Sequence, residues 1–485
     1  MLSAFAPIFA VLLAARVLLG SISGALLAVG VTFIPELVGA KRSSGALTLV
    51  YASYSVALIV ATSVSKILAS TVGWHVAMYG TLVLSLVASV LLAACMPRSG
   101  KTDEPAGSAG ETDAADTADF KVGFICLHDE NSTYDLNFIN AAKAACEDLG
   151  VDYVIRTNID ETEACYDAAA ELADAGCNVV FADSFGHEDF LIQAAKEFPD
   201  VQFCHSTGTK AHTEGLDNYH NAFASIYEGR YLAGIAAGLK LNEMIEAGDF
   251  TADEAKIGYV GAYTYAEVIS GYTAFFLGAR SVCPTATMEV TFTGSWYDEA
   301  AEKEAANKLI NDGCKLISQH ADSMGAPTAC EAAGVPNVSY NGSTIEACPN
   351  TFIVSSRIDW APYYKYVITS VMNGEGIDVD WTGDLATGSV VLTDVNEQVA
   401  AEGTIAAIEE AKAALEAGTV HVFDTAAFTV DGVTLDSYEA DVDTDPDYTP
   451  DTEVVSDGYF HESESRSAPY FDLRIDGITL LDEQY

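Results

Sequence analysis

Basic residues are scarce in this chain: 23 Lys and Arg stand against 70 Asp and Glu, a net charge of −47. Nucleic-acid affinity comes largely from Lys and Arg contacts to phosphates, so polymer nucleic acid is excluded as a partner. No Cys-x-x-Cys pair occurs among the ten cysteines; Cys95 stands at the end of an apolar run and the other nine are scattered singly. That pattern supports neither a disulfide framework nor a zinc site, and the thiols read as small buried apolar groups. Catalytic signatures are also missing, with no Gly-x-Ser-x-Gly elbow, no Walker loop and no Gly-x-Gly-x-x-Gly after the first soluble strand. His128-Asp129-Glu130, His187-Glu188-Asp189 and His320 with Asp322 lack the spacing of metal ligands. The run Asp441, Asp443, Asp445, Asp447 begins like a calcium loop, but Pro446 stands where the turn needs glycine and Thr452 where a bidentate Glu belongs. Neither enzyme, cofactor nor metal is expected.

Charge is present, but not at the start. The first hundred residues carry only Glu36, Arg16, Lys41, Arg42, Lys66 and Arg98. A bilayer core of roughly 30 Å needs about 20 apolar residues per helix, and three runs qualify: Phe5 to about Phe33, Leu47 to about Leu68, and Val76 to Cys95. Residues 1–96 are therefore expected to be a three-helix transmembrane segment. Arg16 lies inside the first run, either as a snorkelling or packing charge or as a functional one. Residues 97–119, rich in Gly, Ser, Ala, Thr, Asp and Glu, cannot bury enough surface to fold and read as a flexible acidic linker.

From Phe120 onward strands and helices alternate. Phe120 to Leu127 is a nearly unbroken apolar run, suited to a strand buried on both faces. Phe138, Ala141, Ala142, Ala145, Cys146 and Leu149 follow at helical spacing, and Gly150 stops the helix. Further strand-like runs lie at Tyr153 to Arg156, Asn178 to Ala182, Val201 to His205, Ile257 to Gly261, Met288 to Phe292, Leu316 to His320 and Val338 to Tyr340. The pattern predicts an α/β fold with parallel sheets in two lobes, one over about 120–225 and the other over about 226–350, with crossovers and an extension in 351–485.

Open parallel sheets bind ligands beyond the carboxyl ends of their strands. The residues there are aromatic and polar: His128, Tyr134, Asn137 and Phe138 after the first strand; Ser184 and Phe185; His205 to Thr207; Tyr263 and Glu267; Trp296; His320 and Asp322; Tyr340 and Asn341; and Trp360. Flat rings hold a planar ring by stacking, and carboxylates accept hydrogen bonds from hydroxyls. A nucleoside or base fits that chemistry.

Lys121 to Leu127, Ser184 to His187, His205 to Gly208, Ile226 to Leu232, Ile257 to Ala262 and Asp359 to Tyr364 together resemble the basic membrane protein family of substrate-binding lipoproteins of ABC importers, relatives of the purine nucleoside receptor. The resemblance runs over about residues 120–425. It implies a type I periplasmic-binding-protein fold, two Rossmann-like lobes joined by crossovers, with a purine nucleoside or nucleobase between them and ABC permease subunits as partners. Carried over by position, it implies that the first loop from Tyr134 to Phe138 meets ligand, that Ser184 and Phe185 form a second rim, that Trp296 supplies an aromatic rim, and that Asp322 meets a ligand hydroxyl.

In the apolar part, Ala15 to Gly20, Lys41 to Ala46 and Gly73-Trp74-His75 resemble helices of a major facilitator transporter. Three helices cannot enclose a transport path built on inverted repeats, so they read as an anchor or remnant. Leu92-Ala93-Ala94-Cys95 resembles a lipobox, with Cys95 the lipidated residue, although small residues beside Cys are also common at helix ends. The expected function is a membrane-tethered solute-binding protein on the extracytoplasmic face of the cell membrane. A ligand-sensing receptor with the same cleft, or an enzyme acting on a nucleoside, is the alternative. Lys41 and Arg42 favour the opposite topology under the positive-inside rule.

Overall fold

The computed structural model describes residues 120–482. The three apolar runs, Arg16, the linker and Cys95 lie outside the described residues. Among the described residues no helix is long and apolar enough to cross a membrane.

The first lobe runs β1 (Lys121–Ile125), α1 (Thr133–Leu149), β2 (Asp152–Arg156), α2 (Glu163–Asp174), β3 (Val179–Ala182), α3 (Glu188–Glu197), β4 (Gln202–Ser206), α4 (Ala211–Glu214) and β5 (Tyr219–Ala224). The second continues with α5 (Ile226–Ala247), β6 (Lys256–Gly261), α6 (Ala266–Val282), β7 (Thr287–Phe292), α7 (Glu299–Asn311), β8 (Leu316–His320), α8 (Gly325–Ala333), β9 (Asn337–Tyr340) and β10 (Phe352–Ile358). Then come α9 (Ala361–Asn373), β11 (Asp380–Gly383), β12 (Val390–Leu392), α10 (Thr404–Glu416) and β13 (Ile478–Leu480).

The first sheet has the order β11-β5-β4-β3-β1-β2, every neighbour parallel. The second has the order β12-β10-β9-β8-β6-β7-β13, parallel except where β12 meets β10. Both contain the doubly wound arrangement in which strand order reverses beside the first strand, so each lobe has a switch point: between β1 and β3 in one, between β6 and β8 in the other. Helices cover the buried strands. Phe124 and Phe181 of β1 and β3 stack at 5.2 Å, and Tyr364 of α9 packs on both, which returns the chain to the first lobe. Three passages therefore join the lobes: β5 to α5, β10 to α9, and β11 to β12.

Local sequence explains the boundaries near the cleft. Ser132 caps α1 by accepting from the Asp135 N–H, and Gly150 ends the helix with φ 67°. The cap places Tyr134 to Phe138 in the first turns of α1, not in the loop expected for them. Nine cysteines, from Cys126 to Cys348, are buried and free.

Candidate ligand-binding site

A narrow pocket lies between the two switch points. Leu127, His128, Tyr134, Ser184, Phe185 and Thr207 wall it from the first lobe; Glu267, Trp296, His320, Asp322 and Tyr340 wall it from the second. Among the described residues no Lys or Arg lines it.

On the first-lobe side, loop ends are tied to buried carboxyls. Asp183 accepts from the Leu127 N–H at 3.1 Å, and Asp135 accepts from the His128 N–H at 2.7 Å and the Ser132 hydroxyl at 2.6 Å. The Tyr134 hydroxyl donates to the Asp183 carbonyl at 2.6 Å. Burial pushes the Asp183 carboxyl well above the usual range, and neighbouring Asp135 adds to it. Burial also works against ionised Asp135, but hydrogen bonds from His128 and Ser132 leave its carboxyl below the ordinary value. Cys126, Asp135 and Asp183 cluster behind the wall, their donor atoms within 4.8 Å of one another.

The Phe185 rim is held by Glu161, which accepts from the Ser184 hydroxyl at 2.6 Å and the Gly186 N–H at 2.8 Å. A Cβ at Gly186 would stand 2.6 Å from the Glu161 carboxyl carbon, so glycine is required for that approach. Thr207, at the end of β4, has φ 78°, and its buried hydroxyl has no hydrogen-bond partner among the described residues. A β-branched residue in the left-handed region is strained, and such strain collects at ligand sites.

Across the cleft, His320 Nε2 lies 3.3 Å from Glu267 Oε1, and its ring sits 4.6 Å from that of Tyr340. Burial lowers the His320 pKa against the opposing pull of Glu267. The neutral ring offers one donor and one acceptor, and Nδ1 has no partner among the described residues. Behind Tyr340 sits Arg230, fully buried, its guanidinium carbon 4.8 Å from the Tyr340 ring centre and its Nη2 donating to the Tyr259 hydroxyl at 2.6 Å. Asp322 accepts from the Asn341 amide at 3.1 Å. Burial, with Asp135 and Glu302 nearby, pushes its carboxyl well up, toward the acid form that can donate as well as accept.

Of the eleven residues expected to contact ligand, Tyr134, Ser184, Phe185, Glu267, Trp296, His320 and Asp322 line this cavity. The other four lie elsewhere. Phe138 and Trp360 stack on each other at 4.6 Å, each 1% exposed, inside the core. Tyr263 packs edge-on against Trp296 at 5.0 Å. Asn137 reaches across the cleft to the Asn341 carbonyl at 2.9 Å. His128, Thr207 and Tyr340, which the sequence places beyond strand ends, also line the pocket, and so does Leu127, which that reading did not name.

The two lobes touch across this cleft. Besides Asn137, the Thr133 N–H donates to the Asp322 carbonyl at 3.1 Å, the Phe185 and Tyr265 rings lie 5.2 Å apart, and those of His128 and Tyr297 5.4 Å apart. The arrangement is closed.

Residues 127–421 match the family described as ABC transporter substrate-binding protein PnrA-like. The chain belongs to this family. Over 259 residues it is 33% identical to a purine-binding protein of Brucella abortus, covering 52% of this chain and 69% of that one. It is 34% identical over 243 residues to a Haloferax volcanii protein named "Putative ABC transporter glucose-binding protein", covering 50% of this chain and 58% of the relative's length. A solved ABC transporter solute-binding protein from Conexibacter woesei superposes with a TM-score of 0.51 at 23% identity, covering 62% of this chain and 97% of that one, which shows the periplasmic-binding-protein-like α/β fold. Residues 1–145 match the Major Facilitator Superfamily. The family is one of substrate-binding proteins.

Proposed function

We propose that the chain captures an uncharged purine nucleoside or nucleobase between its two lobes and delivers it to the permease of an ABC importer, with the binding domain tethered at the outer face of the membrane. The observation that carries this reading is the cavity at the two facing switch points. Phe185, Trp296, Tyr134 and Tyr340 offer ring faces and edges, and Ser184, Glu267, His320 and Asp322 offer hydrogen-bonding groups. Aromatic walls suit a planar heterocycle. Buried acids with no Lys or Arg among them disfavour phosphate, so a nucleotide is a poor ligand and the unphosphorylated compound a good one. The name of the Brucella relative supports a purine.

A sugar is the second reading, favoured by the name of the Haloferax relative and by the fact that hydroxyl-bonding acids and ring faces also serve a pyranose. Native mass spectrometry of the purified protein separates the two by the mass of whatever stays bound. A nucleoside or base supports the proposal, and a hexose overturns it. Protease added to intact cells tests the location: a binding domain protected until the membrane is broken contradicts the importer role.

A further inference from the structure

The family match ends at residue 421, but the chain continues and folds back over both lobes. Phe423 stacks on Phe471 at 4.3 Å and packs at a tilt against Tyr227 of α5 at 5.3 Å, and β13 adds a parallel strand beside β7. Between these second-lobe anchors, residues 462–467 also hold the first lobe. The Ser467 N–H donates to Asp380 Oδ2 of β11 at 2.8 Å, and the Thr382 hydroxyl donates to the Ser463 carbonyl at 3.4 Å. In the same stretch the Tyr227 hydroxyl donates to the Glu462 carbonyl at 3.2 Å, and the Glu462 carboxyl faces Ser270 of α6. Glu462, Ser463 and Ser467 are buried. Ser270 lies one turn after Glu267, the cavity residue at the start of α6.

We infer that this C-terminal segment is a non-covalent strap, a fourth connection between lobes that the chain itself joins only by three passages, and that it holds the cleft closed and slows ligand exchange. The three crossovers permit hinge opening. Swinging β11 away from α6 pulls Ser467 from Asp380 or Glu462 from its second-lobe contacts, and a buried donor or acceptor left without a partner opposes that motion. Its effect on ligand exchange rests on the binding role proposed above; its effect on the lobes does not.

The test therefore reads lobe separation without ligand. Spin labels at two exposed positions, Glu171→Cys on α2 and Lys303→Cys on α7, report the distance between lobes in the full chain. Asp380→Ala removes the acceptor for Ser467, and Asp380→Asn restores one. The ligand-free parent is expected to show mainly the short distance, Asp380→Ala to shift the opening equilibrium roughly tenfold toward the long one, and Asp380→Asn to resemble the parent. If Asp380→Ala does not fold, the double variant Tyr227→Phe, Thr382→Val removes two strap hydroxyls while keeping side-chain volume, and the same shift is expected. Identical distance distributions in parent and folded variant overturn the strap, whatever ligand the cleft takes.

Discussion

The Asn137 side-chain amide, on the second turn of α1, donates a 2.9 Å hydrogen bond to the backbone carbonyl of Asn341, 204 residues away on the opposite lobe. Asn341 itself has φ 65° and donates from its side chain to Asp322. One residue thus couples lobe closure to the placement of a cavity carboxyl.

If that bond helps hold the closed state, Asn137→Ala weakens ligand binding by about 1 kcal/mol, or roughly fivefold. The loss is expected in the dissociation rate, because the bond forms only after the lobes meet. Stopped-flow measurement of both rates checks this; a slower association with unchanged dissociation contradicts it.

Asp322→Ala is expected to weaken a nucleoside by about 1 to 3 kcal/mol and the matching free base by less. Asp322→Asn is expected to be milder, since the buried carboxyl is already pushed toward its neutral form and the amide keeps one donor and one acceptor. Calorimetry with a nucleoside and its base decides it. Equal losses for the two would take the sugar contact away from Asp322.

Much of this site could be read from sequence because strands buried on both faces appear as apolar runs whose ends are easy to find. β1, β3, β6 and β8 were found in this way, and with them Ser184, Phe185, His320 and Asp322. β5 was not, because its Tyr-His-Asn start looks polar; in the fold His220 is paired with Gln202 and the Asp378 carbonyl, and Asn221 accepts from the Ala211 N–H. β10 was missed too: its Ser355 and Ser356 are buried and hydrogen-bonded. Phe138 and Trp360 illustrate the opposite error, since an aromatic beyond a strand can plug the core as readily as line a cleft. The left-handed Thr207 had no local signal, as nothing in a β-branched residue announces a positive φ.

Stability should fall as pH rises from about 6.5 to 8. Burial raises Glu462 to about 8 and Glu228 and Glu302 to about 7. Their contribution is full below the unfolded value near 4.5 and is lost as pH rises through these folded values. His187, lowered to about 4 by burial, contributes fully above about 6.5 and acts only at lower pH. Each group supplies at most about 1.4 kcal/mol per pH unit, and Glu462→Gln should flatten the slope. Urea unfolding at pH 6.5, 7 and 8 measures it; a rise in stability across that range contradicts the assignment.

Net charge of −47 sets a salt response. Like charges repel in the compact state, and the screening length shortens from about 10 Å at 0.1 M salt to about 3 Å at 1 M. The melting temperature is expected to rise over that range. A fall would mean that attractive pairs such as Lys196 with Glu214 and Lys256 with Glu289 outweigh the repulsion.

The central claim, a cleft for an uncharged purine compound, is tested most directly by isothermal titration of the purified chain with adenine, adenosine, guanosine, adenosine monophosphate and glucose under one buffer condition. The account predicts saturable binding of at least one nucleoside or base, with the nucleotide weaker by tenfold or more, about 1.4 kcal/mol. Saturable binding of glucose with no heat from any purine would contradict it.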